Sequence, residues 1–129
     1  MTLAYVALGG ALGAVARYGI SGWVYDRMGE TFPWGTVVVN VLGCLALGAV
    51  VRWLQVSAVP PEIRPFLTIG LLGAFTTFST FSYETVALLQ EGQWLRAGLY
   101  VGGSVALGLI AMVAGMAVVT TVVRAGGGA

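Results

Sequence analysis

Histidine and lysine are both absent from this 129-residue chain. Without histidine, the commonest metal ligand and the commonest general base are missing. Clustered carboxylates are missing too, so an enzyme is the least supported class. The single cysteine, Cys44, excludes an intrachain disulfide. Set in an apolar stretch, it reads as a buried, inert thiol. Only 9% of residues are charged, against about a quarter in a soluble domain. The net charge of +1 gives no basic field for nucleic acid.

What is present is apolar: 58% of residues are hydrophobic. A helix needs about 20 such residues to cross a bilayer. Four windows meet that length, at about 2–23, 34–54, 63–89 and 95–123. The first resembles a signal peptide but lacks a positive n-region, and three more spans follow, so it reads as retained. Asp26, Arg27, Gly29 and Glu30 mark the first connection, Pro60-Pro61-Glu62 the second and Glu91-Gly92-Gln93 the third. Residues 124–129 read as a flexible tail. Trp23, Trp34, Trp53 and Trp94 fall near span ends, as in an interfacial aromatic belt. The expected fold is an all-α membrane protein, a single domain with four antiparallel transmembrane helices. The pairs Gly9/Gly13 and Gly98/Gly102 have the spacing for close helix contact, within a chain or between chains.

Arginines set orientation. Arg17, Arg27 and Arg96 fall toward one side, and Arg52, Arg64 and Arg124 toward the other. Three against three is no bias, so the chain is expected to insert both ways and to pair as an inverted dimer. A lone four-helix bundle is also too thin to shield a polar pathway from lipid.

The third window holds Gly73-Ala74-Phe75-Thr76-Thr77-Phe78-Ser79-Thr80-Phe81-Ser82. Gly70, Gly73 and the Thr76-Thr77 pair are poor helix formers and predict a break near mid-membrane. Broken helices at that depth recur at ion sites. A continuous helix with back-bonded threonines is the alternative. Phe78 and Phe81 are three residues apart and share a face, with Ser79 and Ser82 on a neighbouring one. Ring edges are positive, and hydroxyls donate hydrogen bonds. Together they suit a small anion, although core packing is the plain reading of paired phenylalanines.

Asn40 lies deep in the second window with Thr36 four residues before it. Its amide serves either as an anion donor or as interhelical glue. Tyr100 and Ser104 extend a possible line of hydroxyls. Arg17 lies near the end of the first window, placed either to snorkel or to attract anions at a vestibule. Glu84 could pair with an arginine. No carboxylate falls at mid-membrane, so the inventory favours an anion over a cation.

The segments Gly10–Tyr18, Gly35–Gly43 and Gly73–Ser82 resemble the signatures of the Fluc/CrcB fluoride channels, over nearly the whole chain. That resemblance implies an inverted, dual-topology homodimer with two pores. It would export fluoride passively across the inner membrane of a prokaryote. It implies fluoride coordination by Phe78, Phe81 and Asn40, and a hydroxyl track of Ser79 or Thr80 with Tyr100 and Ser104. Arg17 would stand at the vestibule and Glu84 near the far end of the track. It also implies a structural sodium ion at the dimer centre, held by carbonyls of Gly73 and Thr76. Carbonyl dipoles suit such an ion. A small proton-coupled drug exporter is the alternative function, but it needs a titratable carboxylate that the first span lacks. A non-transporting anchor would leave Asn40 and the Thr/Ser/Phe stretch unexplained.

Overall fold

The computed structural model describes residues 1–127, so the last two residues of the expected tail lie outside the described residues. Helix α1 spans Thr2–Met28 and α2 spans Trp34–Val56. The third segment begins as α3, Ile63–Pro65, widens into a π-helical stretch, Phe66–Leu71, and ends as α4, Leu72–Phe75. After a break come α5, Phe78–Gln90, and α6, Trp94–Gly126. Four segments are long and apolar enough to cross a membrane: Thr2–Met28, Trp34–Val56, Ile63–Gln90 and Trp94–Gly126.

The first helix runs five residues past its expected end, through Asp26 and Arg27 to Met28. It stops at Gly29, whose φ of 81° leaves helical space. Gly92, at φ 74°, turns α5 into α6 in the same way. The last helix continues through Arg124 to Gly126, beyond the expected end at residue 123.

Close backbone contact positions the helices. A Cβ on Gly70 would lie 2.7 Å from the Val6 carbonyl oxygen and 3.1 Å from Gly9 Cα. A Cβ on Gly13 would lie 3.1 Å from Phe75 N. The Gly9/Gly13 pair thus seats α1 on the first half of the third segment. The α2–α6 seam is just as close. A Cβ on Gly115 would fall 2.8 Å from Ala49 N, and one on Gly48 would fall 3.2 Å from Met112 Cα. A Cβ on Gly98 or Gly102 would meet nothing within 4 Å among the described residues, so their spacing produces no close contact there.

A small core of Val37, Leu88, Ala97 and Tyr100, with Phe81 packed against it, ties α2, α5 and α6 together. Trp23, Trp34, Trp53 and Trp94 all point outward near helix ends.

Candidate functional site

The expected break is sharp. Thr76 (φ −84°, ψ 158°) and Thr77 (φ −145°, ψ 121°) are extended residues between α4 and α5. Their hydroxyls close the two helix ends. Thr76 Oγ1 donates to the Leu72 carbonyl at 3.2 Å, and Thr77 Oγ1 accepts from Thr80 N at 3.2 Å as an N-cap. Asn40 braces the gap from α2. Its Oδ1 accepts from Thr77 N at 2.7 Å, and its Nδ2 donates to the Thr77 carbonyl at 3.0 Å. The brace is the interhelical bond of the second reading, and it uses one of the two amide protons. Gly43, one turn along α2, lets the helix reach the break. A Cβ there would run into the Thr76 methyl and come within 3.2 Å of the Phe75 ring.

The brace has a consequence for Gly73. In an unbroken helix the Gly73 carbonyl would accept from Thr77 N. That N–H is turned to Asn40 instead, which leaves the carbonyl oxygen of Gly73 free to meet a cation. Thr76 fits such a role less simply, because Arg17 Nη1 already donates to its carbonyl at 3.3 Å.

Two cavities adjoin the break, and a third shares lining residues with one of them. The first, about 270 Å³, is an open groove lined by Asn40, Cys44, Thr77, Phe78, Phe81 and Ser104, among others. Thr77 is shared with a second cavity of about 310 Å³, where Arg17, Ser21, Thr36 and Thr80 converge. Tyr25 and Glu84 line both that cavity and a third, of about 330 Å³, whose rim carries Glu30 and Glu91.

Most expected site residues line one or another of these cavities, whereas Ser79, Tyr100 and Gly73 line none of the three. Phe78 is 79% exposed on the groove's outer lip. Phe81 is half-buried behind it, with ring centroids 5.9 Å apart and planes at 36°. The rings stand beside each other rather than across a gap. Ser104 Oγ is buried with no hydrogen-bond partner among the described residues, at the wall of the groove. Ser79 is exposed and outside all three cavities. Ser82 bonds back to the Phe78 carbonyl at 2.9 Å. Cys44 is half-buried and lines the groove.

Arg17 lies farther from its helix end than expected, because α1 continues to Met28. It turns inward to Thr76 instead of snorkelling outward. Glu84 meets three hydroxyls and no arginine among the described residues. Thr36 Oγ1 donates to its Oε1 at 2.8 Å, Tyr25 Oη to the same oxygen at 3.3 Å, and Tyr100 Oη to Oε2 at 2.7 Å. Tyr100, expected as a donor along the track, is thereby committed to a carboxylate. The sequence reading missed Tyr25, which looks like one more aromatic near a span end. It placed Thr36 with Asn40 through their four-residue spacing, but the Thr36 hydroxyl serves Glu84.

A family model described as CrcB-like protein, camphor resistance (CrcB), matches residues 4–116. The chain belongs to the CrcB family. It is 47% identical to the fluoride-specific ion channel FluC of Acidobacterium capsulatum over 119 residues, 92% of this chain and 95% of that protein. It is 51% identical to the fluoride-specific ion channel FluC of Thermus thermophilus over 105 residues, 81% of this chain and 83% of that one. A third relative of the same name, from Magnetococcus marinus, is 49% identical over 119 residues, 92% and 97% of the two chains. These relatives of the CrcB-family chain are named as channels, not as enzymes.

Proposed function

We propose that this chain is a fluoride-selective channel, not an enzyme, that passively releases fluoride from the cytoplasm of a prokaryote across its inner membrane. The observation that carries the reading is the near-full-length identity of about half to proteins named fluoride-specific ion channels. The site's chemistry agrees. A small, hard anion needs donors to replace its water. The groove offers one free Asn40 amide proton, the unpartnered Ser104 hydroxyl and the rings of Phe78 and Phe81.

The proposed assembly is an inverted homodimer with two pores in the lipid bilayer. Phe78 is 79% exposed on a lone chain, and a second copy would cover it. Arginine placement stays close to balanced, two against three, which is consistent with insertion in both directions. With Arg17 drawn onto Thr76, Arg27 and Arg96 remain on one side and Arg52, Arg64 and Arg124 on the other. A structural sodium ion at the dimer centre is part of the proposal. Gly73 would hold it through its freed carbonyl, and Thr76 through the lone pair that Arg17 does not use.

Expressing the chain in a bacterium stripped of its own fluoride exporter tests the reading. Growth in fluoride-containing medium should return. Unrestored growth, with the protein present in the membrane, would contradict it.

A further inference from the structure

Tyr25 has no place in the site as read from sequence, yet its surroundings are built around it. Its ring sits against Gly35, the second residue of α2. A Cβ at Gly35 would lie 2.5 Å from Tyr25 Cε2 and 2.8 Å from Cζ. The absence of a side chain there lets the ring lie flush on α2 and points its hydroxyl at two oxygens, Thr36 Oγ1 and Glu84 Oε1, each 3.3 Å away. Thr36 already directs its proton to Glu84 Oε1 at 2.8 Å. The Tyr25 proton therefore goes to Glu84 or to the Thr36 oxygen, and it reinforces the same corner in either case.

The carboxylate is thus held from three helices. Helices α1 and α2 bind Oε1, and α6 binds Oε2 through Tyr100 at 2.7 Å. This held group stands where two cavities meet. Tyr25 and Glu84 line both the one that contains Arg17 and Thr80 and the one rimmed by Glu30 and Glu91. An anion that moved from one to the other would travel beside the carboxylate. Like charges repel, and more strongly the drier the site. Where the carboxylate points therefore sets the height of that step. An ionised carboxylate accepts hydrogen bonds and offers none, so Glu84 is a boundary charge rather than a fluoride donor.

We propose that Tyr25 is a positioning residue for anion passage, which with Thr36 fixes Oε1 of Glu84 while Tyr100 fixes Oε2, so that the carboxylate keeps one orientation at the boundary between the two cavities. The proposal rests on the fluoride-channel reading. It adds a residue to the pathway and a reason for Gly35.

Fluoride release from liposomes tests it, using full-length protein as wild type, Tyr25→Phe, Glu84→Gln and the double variant. Tyr25→Phe keeps the ring in its socket and removes only the hydroxyl. Loss of a hydrogen bond to a charged group should slow release about tenfold. Glu84→Gln should still release fluoride, and adding Tyr25→Phe to it should change little, because no charge is left to position. Equal slowing by Tyr25→Phe in both backgrounds would assign the hydroxyl to structure alone and overturn the proposal. Unchanged release in Tyr25→Phe, or none from Glu84→Gln, would overturn it as well. A Tyr25→Phe protein that no longer assembles would assign the hydroxyl to folding and would likewise overturn the positioning role. Wild-type protein that retains fluoride would overturn the channel reading together with this one, which separates the two failures.

Discussion

The α2–α6 seam and the surface around Thr76–Thr77 both depend on residues with little or no side chain, and they use them to opposite ends. At the seam, Gly48 and Gly115 bring two backbones together, with an apolar cavity of about 630 Å³ beside them that Ala49, Phe75 and Gly115 help to line. At the break, Gly43 brings α2 up to two extended residues, and Asn40 completes the approach with two hydrogen bonds. The cavity beside the seam is lined by apolar side chains, whereas the break opens onto cavities lined by amide, hydroxyl and guanidinium donors. The contrast teaches that close approach and open polar space are adjoining products of one helix, α2, read on two of its faces. The first face holds the bundle together, and the second gives it something to do.

The largest expected effect lies at the seam. Gly115→Leu forces a side chain into the Ala49 backbone, and overpacking of this kind costs about 3 kcal/mol. Size-exclusion chromatography should show loss of the single assembled peak. Gly98→Ala, where nothing lies within 4 Å, should leave a lone chain's packing intact. Failure of both variants would erase the distinction between packed and open glycines.

The next effect lies at the break. Asn40→Asp keeps an acceptor for Thr77 N and sets a carboxylate oxygen against the Thr77 carbonyl. It also places a negative charge in the anion's groove. Fluoride release should fall on the order of a hundredfold, as expected for a lost buried donor with added repulsion, while the assembled peak remains. Unchanged release would mean that the groove is not the path. Phe81→Ile removes a ring edge worth about 1 kcal/mol and should slow release several-fold.

Four apolar segments, their tryptophan-marked ends and the break at Thr76–Thr77 were legible in the sequence, because length, composition and poor helix formers are local properties. The end of α1 was not, because Asp26 and Arg27 look like loop residues yet continue the helix to Gly29. The partners of Asn40, Arg17 and Glu84 were hidden for another reason. Each bonds a residue 37 to 59 positions away, or several helices at once, and spacing along one helix carries no such information. Thr36 shows the limit most plainly. It shares a helical face with Asn40, but the two serve different neighbours. Gly9/Gly13 and Gly98/Gly102 have identical spacing and opposite surroundings.

The smallest effect sharpens the comparison furthest. Ser104 Oγ is buried without a partner among the described residues, so Ser104→Ala should leave thermal stability within about 1 kcal/mol of wild type. Fluoride release should slow modestly all the same. A marked loss of stability would show that the hydroxyl has a structural partner instead of a passing one.

The central claim is that neutral donors beside a braced helix break pass a small hard anion. Vesicles loaded with both fluoride and chloride, followed with two ion-selective electrodes after reconstitution, test that directly. Fluoride should empty while chloride stays inside. Release of both ions together, or of neither from correctly assembled protein, would contradict the claim.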